Sequence, residues 1–89
     1  MITLVRSFGI AVRQSRELAG WSQEALAERS SLNRSYVGEI ERGRAIASLQ
    51  TVEKLALAIE VSASTLVMRG EAVSQATLVR RINLMAIAC

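Results

Sequence analysis

Four of the polar side chains in the segment SSLNRSYVGEIERG, residues 30–43, lie at spacings that would place them together on a helix: Arg34, Ser35, Glu39 and Arg42. An arginine guanidinium can donate two parallel hydrogen bonds to a phosphate group or to the edge of a guanine. A glutamate carboxylate can accept a hydrogen bond from an amino group, such as that of cytosine. Side chains advance by about 100° per residue around a helix, so these four fall within about 140° of one another. If the segment is helical, it has one face that suits contacts with nucleic acid.

The opposite face of the same segment is apolar, because Val37 and Ile40 fall between about 200° and 300° from Arg34. Gly38 lies on the polar face, where it costs the helix roughly 1 kcal/mol relative to alanine. Close approach to another surface would justify that cost. The alternative is an ordinary solvent-exposed helix face, and periodicity alone favours this alternative because most exposed faces have such a composition.

The composition argues against a catalytic function. The 89 residues include no histidine, so neither a Ser-His-Asp triad nor a histidine-bound zinc site can form. Cys89 is the single cysteine and has no base to activate it. We therefore expect a protein that is not an enzyme and that uses no cofactor and no metal ion.

The charge and the cysteine content indicate the partners and the compartment. Eleven basic residues against eight acidic ones give a net charge of +3, and only Lys54 among the basic residues is not an arginine. This excess modestly favours nucleic acid as a partner. A lone cysteine excludes a disulfide framework and suits the reducing cytoplasm. Arg6 and Arg13 interrupt the first apolar residues, which argues against a signal peptide, and no apolar run could span a bilayer. We expect a cytoplasmic protein that does not associate with membranes.

The apolar spacing and the capping residues predict one small all-α domain. Helices are expected at residues 3–19, 22–30, 33–42, 48–60, 62–68 and 72–87. Ser22, Asn33, Ser48 and Ser62 can cap the second to fifth of these, because their side-chain oxygens can accept hydrogen bonds from free N–H groups. Gly70 is expected to separate the fifth helix from the last.

Small and apolar residues predict that the second and third helices cross tightly. Ala27 is small at the place where a crossing helix needs room. Leu26 precedes it, and Leu32, Val37 and Ile40 follow at the spacing of two short helices joined by a turn of about three or four residues. This pattern is typical of a helix-turn-helix.

The sequence also resembles a known family. WSQEALAERSSLNRSYVGEIERG, followed by SLQTVEKLALAIEV, is similar to the lambda-repressor/Cro-like helix-turn-helix domain of bacterial and phage transcription regulators. The resemblance extends over residues 8–67. It implies a compact, all-α, five-helix domain over residues 1–69. Residues 70–89 would then be a C-terminal helix or tail that belongs to the same unit or to a dimer interface. Controller proteins of restriction-modification systems and small phage repressors are similar stand-alone regulators.

The resemblance also implies roles for individual residues, with double-stranded DNA as the partner and residues 33–42 as the recognition helix. The base edges in the major groove would be contacted by Arg34, Ser35 and Glu39. The DNA backbone would be contacted by Gln23, Asn33, Tyr36, Arg42 and Arg44. Glu39 has a second interpretation, an ion pair with Arg42 within the helix, and the two remain open. Ser31 stands where the turn of the family usually has glycine, so a left-handed residue is expected there at a cost of about 1 kcal/mol.

One such domain offers few base contacts, so we expect a homodimer that binds a (pseudo)palindromic operator. The candidate interface residues are Leu66, Val67, Val79 and Ile82; the alternative is that they complete the core of the monomer. A second function also remains open, that of an antitoxin or protein-interaction module whose C-terminal tail covers a protein partner. The placement of residues 70–89 distinguishes the two functions, because a tail that is buried in a homodimer favours the regulator.

Overall fold

The computed structural model describes the backbone of residues 3–88 and the side chains of residues 3–77 and of Arg80. This part of the chain forms five helices and no strand. The helices are α1 (Leu4–Leu18), α2 (Gln23–Ser30), α3 (Arg34–Glu41), α4 (Leu49–Ile59) and α5 (Ala63–Ala88). The all-α prediction is confirmed, and the first four helices follow the predicted boundaries closely.

Four of the helices begin where the sequence predicts a cap. Ser22, Ser48 and Ser62 each accept a hydrogen bond from the backbone N–H three residues later, at 3.0–3.1 Å. Asn33 accepts one from the N–H of Ser35 at 2.8 Å. The first N–H groups of a helix have no partner within it, so each cap fixes the residue at which its helix starts.

The turn between α2 and α3 depends on a left-handed serine. Ser31 has φ +58° and ψ +38°, as predicted. The N–H of Leu32 donates to the carbonyl of Ala27 at 2.9 Å, and the N–H of Ser31 donates to that of Glu28 at 3.2 Å. These bonds close the end of α2, so the chain reverses within a few residues and α3 crosses α2.

One apolar core joins the helices. Its innermost side chains, none more than 1% exposed, are Val12, Leu26, Val37, Ile40, Leu55 and Leu66. Burial of such a side chain stabilises the fold by about 1.5–3 kcal/mol. Val37 and Ile40 are the contribution of α3, and because both face inward, the other side of that helix must face away from the core.

Helices α1 and α3 approach so closely that only glycine fits at position 9. A Cβ atom built on Gly9 would collide with the backbone carbonyl oxygen of Ile40. Gly9 is fully surrounded in the middle of α1. The absence of a side chain there therefore sets how near the C-terminal half of α3 lies to α1.

Helix α5 is continuous from Ala63 to Ala88, so the helix break predicted at Gly70 is wrong. Gly70 is buried, and a Cβ atom there would stand 3.0 Å from the Cα of Phe8. This glycine permits close packing of α5 on α1, which costs the helix less than a break would. Over the described part of the chain, no helix, α5 included, combines the length and the apolar character needed to cross a bilayer.

The structure corrects one residue of the predicted dimer interface. Leu66 is 0% exposed within the monomer, where it packs in the core with Phe8 and Leu55. It has no surface left for a partner. Val67 is half-buried beside the same core. The side chains of Val79 and Ile82 lie outside the described residues.

We expect the substitution Gly9→Ala to lower the free energy of unfolding by about 1–3 kcal/mol or more, because the new methyl group must push α3 away from α1. Urea denaturation followed by circular dichroism measures this change. Gly38→Ala is the matched control, because a Cβ there meets only the tip of the Arg42 side chain, at 3.2 Å. Equal stability of the two variants would contradict the close α1–α3 contact.

Candidate nucleic-acid interface

The polar face of α3 is turned to solvent because its apolar face is anchored in the core. Val37 and Ile40 are buried, whereas Arg34 and Ser35 are exposed. Glu39 lies on the same side as these two, at the next turn of the helix. The predicted base-reading residues are therefore brought together on one accessible helix face.

The N-terminal turn of α3 is built around Asn33. Its Oδ1 atom accepts the N–H of Ser35, so the side-chain carbonyl is already used by the helix. The amide Nδ2 group remains as a donor that an anion beside the helix N-terminus could accept. Arg34 is next to this cap, is exposed, and forms no ion pair with any residue in the described part of the chain.

Glu39 and Arg42 form an ion pair, which was one of the two predicted interpretations of Glu39. Arg42 Nη2 donates to Glu39 Oε1 at 3.0 Å, with the two side chains 49% and 42% exposed. The guanidinium group also lies over Gly38, which is buried as a result. Gly38 thus lies on the polar side of α3, as predicted, but under an arginine.

A buried carboxylate ties the end of α3 to α1 and α2. Glu41 has a side chain only 2% exposed, and it accepts hydrogen bonds from Arg16 Nε at 2.7 Å and Arg16 Nη2 at 3.0 Å. Gln23 Nε2 donates to the same carboxylate at 3.1 Å. The third donor atom of the guanidinium, Arg16 Nη1, bonds the carbonyl of Trp21 at 2.8 Å. This network fixes α3 relative to the start of α2.

Arg16 keeps its positive charge in this network. The hydrogen bond to Glu41 raises the pKa of Arg16 above its usual value, against the opposing effect of burial. Gln23, one of the predicted backbone contacts, connects the start of α2 to the end of α3, because its amide nitrogen donates to Glu41.

Sequence analysis missed the pair of Arg16 and Glu41. The two residues are 25 positions apart, so no local spacing relates them. Glu41 lies about −20° from Arg34 around the helix, outside the apolar sector, and periodicity therefore groups it with the exposed polar side chains. Only the close approach of α1 to α3 buries it, and that approach is a property of the assembled fold.

Tyr36 and Arg44 lie towards the loop that follows α3. The hydroxyl of Tyr36 donates to the carbonyl of Ile46 at 3.4 Å and lies 3.4 Å from Thr51 Oγ1. Tyr36 is half-buried and holds this loop against α4. Arg44 is exposed and has no ion pair within the described residues.

The acidic residues of the described chain do not form a metal centre. No group of three or more carboxylate, cysteine or histidine side chains converges anywhere in that part of the structure. The chemistry that the arrangement offers is donation and acceptance of hydrogen bonds from a protruding helix.

We expect Glu41→Ala to lower the free energy of unfolding by about 3 kcal/mol, because it leaves the guanidinium of Arg16 without its buried partner. Chemical denaturation of Glu41→Ala, Arg16→Ala and the double variant measures the coupling between the two residues. Glu17→Ala is the control, since Glu17 pairs with Arg13 at 2.8 Å on the surface and its loss should leave stability nearly unchanged. Additive effects of Glu41→Ala and Arg16→Ala would show that the pair contributes nothing specific.

Comparison with known proteins places these features in a family. The sequence model described as Helix-turn-helix matches residues 12–66. Control protein C.BamHI from Bacillus amyloliquefaciens is 44% identical over 55 residues, which are 61% of this chain and 68% of that protein. A Neisseria meningitidis protein named as a hypothetical transcription factor is 42% identical over 57 residues, which are 64% of this chain. The chain spans only 54% of that Neisseria protein and 38% of the Escherichia coli regulator SutR.

Solved structures agree with the sequence match. The restriction-modification controller protein C.AhdI from Aeromonas hydrophila superimposes with a TM-score of 0.67 at 46% identity, covering 71% of this chain and 94% of that one. The clp gene regulator ClgR from Corynebacterium glutamicum gives a TM-score of 0.82 at 27% identity, covering 97% and 90%. The named relatives are regulators and control proteins rather than enzymes. This chain belongs to the helix-turn-helix family of the lambda-repressor/Cro type.

Proposed function

We propose that this protein is a sequence-specific DNA-binding transcription regulator that binds a (pseudo)palindromic operator as a homodimer, with α3 in the major groove. The observation that carries the proposal is the division of α3 into two faces. Val37 and Ile40 anchor one face in the core, and the other holds the exposed side chains of Arg34 and Ser35. A major groove is wide enough to admit such a helix.

Base reading is assigned to the first two turns of α3. Arg34 can donate two hydrogen bonds to a guanine, which discriminates against another base by about 1–3 kcal/mol. Ser35 can donate or accept at a neighbouring base, and Glu39 can accept from a cytosine amino group. Glu39 also repels phosphates, so it penalises a wrong register of the helix on the DNA.

Backbone contacts are assigned to residues around both ends of the helix-turn-helix. Gln23 and Asn33 stand at the N-termini of α2 and α3, where free backbone N–H groups also favour a phosphate. Arg44 extends from the loop after α3 and is free to pair with another phosphate. Tyr36 contributes through the loop that its hydroxyl holds in place.

A homodimer is supported by an apolar groove between α1 and α5. Leu18 is 87% exposed at its edge, and Ala72, Val73 and Ala76 line it from the α5 side. In this proposal residues 1–69 are the DNA-binding unit, and residues 70–89 are the extension that joins two copies, with Val79 and Ile82 in the interface. Two copies place two recognition helices about 34 Å apart, one turn of DNA. Since the operator DNA of a bacterial regulator lies in the cytoplasm, we place the protein there too.

Selection of bound duplexes from a random pool tests the proposal directly. We expect a palindromic consensus for the wild type, and for Arg34→Ala the loss of a guanine preference, about tenfold or more at one position of each half-site. Because Arg34 is exposed, the variant should unfold at the same urea concentration as the wild type. Failure of the wild type to enrich any sequence would refute sequence-specific binding.

The dimer is tested by sedimentation equilibrium of the full chain. We expect the mass of two chains for the wild type and of one chain for the double variant Val79→Asp, Ile82→Asp, because charged side chains cannot be buried unpaired in an interface. The variant should also bind the selected operator much more weakly, since it brings one recognition helix instead of two. A wild type that sediments as a monomer with or without operator DNA would contradict the proposed assembly.

A further inference from the structure

The single glycine of α3 lies directly beneath an arginine. A Cβ atom built on Gly38 would stand 3.2 Å from both Nη atoms of Arg42, and the three nearest atoms all belong to that guanidinium group. Gly38 is buried by this contact although it lies on the polar side of the helix. Glycine destabilises a helix relative to alanine. Its presence at position 38 therefore indicates a function that a residue with a side chain could not serve.

The same guanidinium group holds one oxygen of a base-reading carboxylate. Arg42 Nη2 donates to Glu39 Oε1 at 3.0 Å, and Oε2 has no hydrogen-bond partner among the described residues. Both side chains are nearly half exposed, so water screens the pair and it adds little to the stability of the fold. The contact therefore matters for where the carboxylate is held rather than for folding.

We propose that Arg42 is a positioning residue for Glu39, and that Gly38 is needed because it gives the guanidinium its place on the helix. An unpartnered carboxylate rotates freely. The hydrogen bond from Arg42 to Oε1 fixes the carboxylate, so that Oε2 can accept a hydrogen bond from one donor position. The group recognised there is a base amino group in the major groove, for which cytosine is the matching donor.

This inference rests on the proposed DNA binding, and it gives Arg42 a role other than the phosphate contact that the family resemblance implies. The two roles differ in what they change. A phosphate contact adds affinity for every sequence and contributes about 0.9 per subunit to the slope of log affinity against log salt. A positioning residue changes the preference at one base pair and leaves that slope alone.

The experiment measures affinities for the selected duplex and for duplexes that each carry one replaced base pair, at fixed salt and over a salt series. Glu39→Ala first identifies the base pair that Glu39 reads. We expect Arg42→Ala to lose discrimination at that base pair by at least about threefold, the size of coupling between neighbouring polar side chains, with an unchanged salt slope. Uniform weakening with a reduced slope, or no base pair affected by Glu39→Ala, would overturn the inference.

A double-mutant cycle tests the role of the glycine. Gly38→Ala should lose the same discrimination as Arg42→Ala, and the variant carrying both should be no worse than Arg42→Ala alone. If Gly38 instead permits close approach of the DNA, its effect will add to that of Arg42→Ala and weaken all duplexes, which overturns this assignment. Urea denaturation should show Gly38→Ala at least as stable as the wild type, because alanine is the better helix former.

Arg13→Ala is the matched control, because Arg13 also pairs with a glutamate on the surface, Glu17, at 2.8 Å. It should leave the preference at the base pair of Glu39 unchanged. A wild type that selects no sequence refutes the proposed function, and the inference with it. Sequence selection that depends on Arg34 but not on Arg42 refutes the inference alone.

Discussion

The carboxylate of Glu41 is the point at which three helices are tied together. Buried without partners, such a charge would cost several kcal/mol, but here Arg16 and Gln23 supply three hydrogen bonds from α1 and α2. These directional hydrogen bonds restrict how the three helices can be placed relative to one another.

The buried and the exposed side chains of α3 lie on opposite sides of the helix. Its buried side chains, Val37 and Ile40, pack in the core, and Gly9 allows the helix to lie close to α1. The exposed side chains are therefore presented from a helix that does not need them for folding. Substitutions such as Arg34→Ala should therefore leave the fold intact.

Local features of the fold could be predicted from the sequence. The caps at Ser22 and Asn33 depend on hydrogen bonds between residues a few positions apart, so residue type and spacing suffice. The left-handed Ser31 was expected from the family resemblance. The outward face of α3 followed from periodicity in the same way. The roles assigned to its side chains remain proposals.

Features that depend on contacts between distant segments could not be predicted. Gly70 looks like a helix stop from sequence alone, and only its contact with Phe8 shows why a glycine is tolerated in the middle of α5. Leu66 has the composition of an interface residue and becomes a core residue once α5 packs on the domain. For Gly70 the deciding neighbour, Phe8, is more than 50 positions away, and no local pattern encodes that contact.

The continuity of α5 has a geometric consequence. The helix is anchored in the core at Leu66 and runs unbroken to Ala88. The direction of its far half is therefore fixed by its near half. Inserting one residue after Gly70 would turn everything beyond it by about 100° and advance it by about 1.5 Å. Any partner bound to that far half would rotate around the helix axis with it. If two copies join through this half of α5, as proposed, the distance between their α3 helices depends on helical phase.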